Sequence, residues 1–215
     1  MDKKFADRRE AGQLLAARLD AWVALNPVVI GLTRGGVPVA AEVAARLCAE
    51  LDALVVRKLA SPGDPEVALG AIAEGGAVWL RPGVERAAET GWIRSELKRQ
   101  EGELHRRVAL LRPEISTLSV SSRVVIVVDD GVATGATLSA AVLALRVRGA
   151  SSVIIAAPVA SREAARNLAE RADAAVFLIV PEHFVAVGEW YDAFPAVPDE
   201  EVLALLRGAR RKVFA

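Results

Sequence analysis

Residues 124–137 read Val124-Val125-Ile126-Val127-Val128-Asp129-Asp130-Gly131-Val132-Ala133-Thr134-Gly135-Ala136-Thr137. Two adjacent carboxylates stand between an apolar run and a loop of small and hydroxyl-bearing residues. Ionised carboxylates only accept hydrogen bonds, so Asp129 and Asp130 suit a pair of vicinal hydroxyls. Gly131 and Gly135 let the backbone curl close to an anion. Thr134 and Thr137 add hydroxyl donors, and a helix starting near Thr137 adds N–H groups and the positive end of its dipole. Acceptors for a diol beside donors for a phosphate fit a ribose 5-phosphate. A helix cap built on Asp-Asp, with no ligand, is the plainer alternative. The loop has no lysine, so it is not a Walker A loop, and it is not a Gly-x-Gly-x-x-Gly dinucleotide loop.

Three further stretches carry chemistry. Thr33-Arg34-Gly35-Gly36 ends an apolar run and opens a helical pattern. Its glycines free backbone N–H groups and Arg34 adds a planar cation, a second anion site. Arg57-Lys58 follows Leu54-Val55-Val56, and two adjacent cations at a strand end require solvent or an anion. The next run, Ser61-Pro62-Gly63-Asp64-Pro65, reads as an exposed loop over residues 59–68. Near the C-terminus, Phe184, Trp190, Tyr191 and Phe194 concentrate aromatics, and a ring at a strand end can stack on a planar base.

The elements that must position these residues alternate. Short apolar runs at 28–32, 54–56, 124–128, 153–157 and 176–180 read as strands buried on both faces. Val37–Leu51, Thr137–Arg148 and Ser161–Arg171 read as helices between them. The pattern predicts an α/β fold, a central parallel sheet flanked by helices, with ligands beyond the carboxyl ends of the strands. Residues 69–80 read as a hairpin or flap around Gly75-Gly76. Residues 92–112 read as one long amphipathic helix. Ile93, Leu97, Leu104, Val108 and Leu111 lie on its apolar stripe, and pairs such as Glu103–Arg107 lie on its solvated face.

Composition narrows the classes. The chain has 215 residues, enough for one domain. Its 27 basic and 27 acidic residues balance, which argues against nucleic-acid binding. One cysteine, Cys48, excludes an intrachain disulfide, and two histidines make a histidine metal cage unexpected. No apolar run approaches the ~20 residues of a membrane helix. The expectation is a cytoplasmic protein with no membrane partner.

The 124–137 stretch resembles the phosphoribosyl-pyrophosphate (PRPP) motif of the type I phosphoribosyltransferases. The opening residues 5–12, the 64–72 segment and the 199–202 segment resemble bacterial members of unassigned substrate. The resemblance implies a single domain over 1–215, with a core at about 24–180, a flap and inserted helix at about 59–118, and a hood at about 181–215. It implies that Asp129 and Asp130 hold the ribose hydroxyls and that Gly131, Ala133, Thr134, Gly135, Ala136 and Thr137 hold the 5-phosphate. Arg34, Gly35, Gly36, Arg57 and Lys58 would hold pyrophosphate, with Arg34 and Lys58 stabilising its departure. Phe184 would stack on the acceptor base, with Val185 behind it. A lid over 59–68 would close on the substrate.

The implied reaction transfers the 5-phosphoribosyl group of PRPP to a nitrogenous base or other nitrogen nucleophile and releases pyrophosphate. Mg²⁺ would ride mainly on PRPP oxygens and water, with no protein metal cage. The family also implies a homo-oligomer such as a dimer. Two departures stand out. The hypoxanthine-guanine branch has an aspartate where this chain has Ala133, and it reads the base with a lysine, whereas residues 151–211 contain none. The acceptor and the general base therefore stay open. The alternative is a PRPP- or nucleotide-binding regulatory protein without transferase activity. An unrelated phosphate-ester enzyme finds no support, because the chain has no Gly-x-Ser-x-Gly elbow or cysteine nucleophile motif.

Overall fold

A computed structural model describes residues 4–61, 64–84, 91–113 and 115–213. Five parallel strands form the central sheet: β1 (Val28–Leu32), β2 (Glu50–Leu54), β6 (Val124–Val128), β7 (Ser152–Val159) and β8 (Ala174–Ile179), in the order β2-β1-β6-β7-β8. The order reverses between β1 and β6, which pair from Val28↔Val125 to Gly31↔Val128. In an open α/β sheet that switch point opens a crevice at the carboxyl ends. The Thr33–Gly36 loop follows β1 and the Asp129–Gly135 loop follows β6, so the topology brings both anion loops to that crevice.

Helices α1 (Arg8–Ala17), α2 (Gly36–Leu47), α4 (Ala136–Val147), α5 (Arg162–Ala169) and α6 (Asp199–Val213) join this sheet. Two apolar layers result. One contains Leu15, Val43, Ile126 and Leu206, and the other contains Ile30, Val127, Leu138 and Leu145. No described helix is long and apolar enough to cross a membrane.

A second sheet of three antiparallel strands, β3 (Val56–Ser61), β4 (Asp64–Ala73) and β5 (Val78–Leu80), stands beside the first. The long helix α3 (Trp92–Leu111) packs on it. The hairpin expected around Gly75-Gly76 is the β4–β5 turn, where both glycines have positive φ.

Several boundaries differ from the sequence reading. The helix expected over 37–51 stops at Leu47, because Cys48 takes a left-handed conformation at φ 50° and the chain turns into β2. The strand expected at 54–56 is in fact two strands in different sheets, hinged at Val55. β2 was hidden because it carries Glu50 and Asp52 rather than a continuous apolar run. Asp52 is fully buried and accepts from Arg112 Nη1 at 2.9 Å and from the Leu118 N–H at 2.9 Å. Arg112 also donates to Glu74 at 2.7 and 2.8 Å, tying β2, the β4–β5 turn and the end of α3 together.

The loop expected over 59–68 is mostly strand. Ser61 pairs with Asp64, and register shifts at Leu59/Ala60 and Ala60/Ser61 absorb the irregular sequence. Such bulges tolerate proline, which cannot donate to a ladder. Pro62 and Gly63, within the expected lid, lie outside the described residues, as do residues 85–90 of the expected insertion.

On α3, Ile93, Leu104 and Leu111 are buried as the stripe requires, with Leu97 and Val108 packed beside them. Glu96 and Gln100 are buried too, because Gln100 donates to Glu96 at 2.8 Å and accepts from Arg57 of β3. The expected Glu103–Arg107 pair forms at 3.0 Å, and Arg106 joins it at 2.8 Å. Those two guanidinium hydrogen bonds lower the Glu103 carboxyl to about 2.

Candidate active site

The crevice is a cleft of 580 Å³. Of the residues singled out in the sequence, Arg34, Gly35, Arg57, Lys58, Asp129, Asp130, Gly131, Ala133, Thr134, Gly135, Thr137 and Val185 line it. Gly36 and Ala136 do not. Both are buried behind the wall, Gly36 against the Val128 carbonyl and Asp129. Phe184 does not line the cleft either. It is half-buried elsewhere, and the ring on the cleft wall is that of Phe194, held by the loop that follows β8.

The two acids follow directly from β6, where the Asp129 N–H still bonds the Ala156 carbonyl of β7 at 3.2 Å. Beyond them the loop is anchored on its outer side. Val132 N–H donates to Val159 O at 2.9 Å, and Ser161 N–H returns to Val132 O at 2.8 Å. The Ser161 hydroxyl donates to Ala133 O at 2.6 Å and caps α5 through the Ala164 N–H at 3.1 Å. These bonds leave Thr134, Gly135 and Thr137 on the cleft side. Gly135 has φ +76°, with the Leu168 side chain behind it, a backbone that disfavours any other residue. The N-cap of α4, Gly135, offers no side chain, and in its first turn only the Ala136 N–H meets a side-chain oxygen, Thr134 Oγ1 at 3.5 Å, among the described residues. The N–H groups of such a first turn, with the helix dipole, favour an anion.

The opposite wall comes from the β1–α2 loop. Thr33 N–H bonds Leu54 O at 3.1 Å, the Thr33–Arg34 peptide is cis, and Val37 N–H bonds Arg34 O at 3.2 Å. The Thr33 hydroxyl is buried and has no hydrogen-bond partner among the described residues. Arg34 is partly exposed, and its ion pair among the described residues is a 3.9 Å approach to Asp199.

β3 supplies the other cations. Its alternation sends Arg57 and Lys58 to opposite faces. Arg57 Nε donates to Gln100 at 3.0 Å. Burial, and then the charge of Arg107, hold Arg57 below the ordinary arginine value. Lys58 is exposed, and its charge acts on Asp129.

Sequence reasoning missed Arg8. Its Nε donates to Asp130 Oδ2 at 2.8 Å across 122 residues of chain, its Nη1 donates to Pro195 O at 2.7 Å, and its guanidinium lies 3.7 Å from the Phe194 ring centre. The Asp7–Glu10 capping pair, visible in the sequence, could have located α1. Asp7 does accept from the Glu10 N–H at 2.8 Å. Nothing local signals that Arg8 reaches the acids.

Burial dominates the electrostatics of the pair. It pushes the Asp129 carboxyl well above the ordinary aspartate value, and the Asp130 charge adds to the rise. The Asp130 N–H, 3.0 Å from Asp129 Oδ1, and Lys58 oppose it. Asp130 is also raised by burial, but Arg8 counters through its charge and its hydrogen bond. The Tyr191 hydroxyl donates to the Asp130 carbonyl at 2.5 Å, and burial raises its pKa so that it stays neutral.

The chain is similar to known proteins in sequence and in fold. The family model for the phosphoribosyl transferase domain matches residues 9–192. A Mycobacterium tuberculosis protein provisionally named a phosphoribosyl transferase is 42% identical over 211 residues. The match covers 97% of this chain and 48% of that protein, so the chain spans about half the length of the curated relatives it matches. The crystal structure of TT1426 from Thermus thermophilus superposes with a TM-score of 0.81 at 47% identity, covering 94% of this chain and 97% of that one. A purine phosphoribosyltransferase from Pyrococcus horikoshii shares the fold, with a TM-score of 0.51 at 18% identity over 92% of this chain and 99% of that one. The chain belongs to the phosphoribosyl transferase domain family and has its type I fold.

Proposed function

We propose that the protein transfers the 5-phosphoribosyl group of Mg²⁺-bound PRPP to a nitrogen nucleophile and releases pyrophosphate. The observation that carries this reading is the placement of Asp129 and Asp130 in one cleft with the start of α4 on one side and Arg34 and Lys58 on the other. A phosphorylated sugar diol with an anionic leaving group matches that order of acceptors and donors. In this reading Thr134, Thr137 and the Gly135 loop hold the 5-phosphate, and the two acids accept from the ribose hydroxyls.

Arg34, Lys58 and the N–H groups beside Gly35 take up charge as the C1–oxygen bond to pyrophosphate breaks. The nitrogen lone pair forms the new bond at C1 from the opposite face. The donor set fits a magnesium ion that arrives on the substrate. Two carboxylates, one already ion-paired, offer too few hard oxygens for a resident magnesium ion, and PRPP oxygens and waters would supply the rest of its ligands.

The acceptor wall is largely apolar, with Val132, Ala133, Val185, Ala186 and Val187 on the cleft. Ala133 carries no acid for a purine ring. This favours an acceptor other than a 6-oxopurine. The test is pyrophosphate release from PRPP·Mg²⁺ with a panel of purine, pyrimidine and pyridine bases and small amines. Release that requires one class of nitrogen compound supports the transferase. Tight PRPP binding with no release against any of them identifies a PRPP-binding regulatory protein instead.

A further inference from the structure

We propose that Arg8 is a positioning residue of this site, holding Asp130 as an acceptor-only carboxylate aimed at the sugar and tying that orientation to the hood; this rests on the reading of the cleft given above. The geometry is specific. The Arg8 and Asp130 side chains are only 11% and 14% exposed, so the pair is largely out of solvent. The guanidinium is fixed three ways, by Asp130, by the Pro195 carbonyl and by the Phe194 ring.

The segment carrying Arg8 is itself zipped to the hood. Phe5 N–H donates to Trp190 O at 2.9 Å, Asp192 N–H to Phe5 O at 2.8 Å and Ala193 N–H to Ala6 O at 2.9 Å. Tyr191 stacks on Phe194 with ring centres 4.8 Å apart and meets Phe5 in a tilted contact at 5.5 Å. The same unit therefore grips Asp130 twice, at its carboxylate through Arg8 and at its carbonyl through Tyr191.

The chemistry requires such a cation. Two adjacent, largely buried carboxylates resist carrying two charges, and the pair tends to keep a proton. A protonated acid donates where the diol needs an acceptor. The charged and titratable groups facing the pair are Arg8 from α1, Lys58 from β3 and the neutral Tyr191 phenol from the hood. The β1–α2 loop presents Gly35 to Asp130 and Gly36 to Asp129, and its Arg34 lines the same cleft. Arg8 is thus the one cation that hydrogen-bonds Asp130 among the described residues.

The experiment follows the carboxyl ¹³C signals of aspartate-labelled, ligand-free protein through a pH titration, alongside PRPP·Mg²⁺ affinity over the same range. In the wild-type protein Asp130 should titrate below Asp129. Arg8→Gln should raise the Asp130 midpoint and move the acid limit of PRPP binding upward, with affinity lost about tenfold on the acid side of that midpoint and largely recovered on its alkaline side. Arg8→Lys should restore the wild-type midpoint. A merely structural role would weaken binding equally at every pH. If the wild-type protein binds PRPP but Asp130 titrates above Asp129, or Arg8→Gln leaves both midpoints in place, the inference falls and the proposed function stands. If the wild-type protein binds no PRPP, the proposed function falls, and the carboxyl titration alone still decides whether Arg8 holds Asp130 ionised.

Discussion

Gly35 faces the Asp130 carboxylate so closely that a Cβ on Gly35 would lie 1.9 Å from Asp130 Oδ2. The two anion loops therefore touch through the one residue type that permits it. Gly35→Ala must displace either the carboxylate or the β1–α2 loop. We predict a loss of PRPP affinity of about tenfold or more, the equivalent of one charge-assisted hydrogen bond of roughly 1.5–3 kcal/mol. The far-ultraviolet spectrum should be unchanged, since the strands on either side are intact. Calorimetric titration of this variant measures the effect, and wild-type affinity would show that the approach of the loops is irrelevant to binding.

The acid pair should also cost stability in the empty protein. Burial and Asp130 raise the folded value of Asp129 above its unfolded value. Between the unfolded value, about 3.9, and the folded one, the native state holds the proton more tightly. Stability contributed by the protonated acid is therefore complete below the unfolded value and lost as pH rises through the folded value. Asp129→Asn should melt at a higher temperature than wild type near neutral pH, and the difference should close in acid. Thermal denaturation across pH checks this. A variant less stable than wild type at neutral pH would contradict it.

The Asp52–Arg112–Glu74 network carries a different prediction. Arg112 satisfies a fully buried carboxylate and a second one that is mostly buried. Arg112→Met leaves both without their cation, and removing one partner of a buried pair costs roughly 3–5 kcal/mol. Urea denaturation should show a loss of that order. A change below about 1 kcal/mol, the scale of exposed pairs, would mean that the network is worth no more than a surface bridge.

The β3–β4 hairpin places Lys58 on the cleft wall. If it closes on substrate, saturating PRPP·Mg²⁺ should slow trypsin cleavage after Arg57 and Lys58 several-fold. Unchanged cleavage in the presence of bound PRPP would remove the lid from the account.

Much of this arrangement is legible from local patterns. The buried strands β1, β6 and β7 announce themselves as continuous apolar runs, and the Asp129–Thr137 loop follows from the residue types that a phosphate and a diol need. What escapes is what depends on distant partners. β2 is invisible because the cation for its buried Asp52 lies sixty residues away on Arg112. Phe184 is the stacking ring that the family resemblance implies, yet the ring that lines the cleft is that of Phe194. Arg8, in the opening 5–12 segment, carries no local sign of its partner Asp130, 122 residues further on.

In the proposed function, Asp129, Asp130 and the loop that opens α4 form a PRPP site. The most direct test is calorimetric titration of PRPP with Mg²⁺ into the wild-type protein and into the Asp129→Asn/Asp130→Asn variant. Saturable binding to the wild-type protein should be lost in a folded double variant. Equal binding by the two proteins, or none by the wild type, would contradict it.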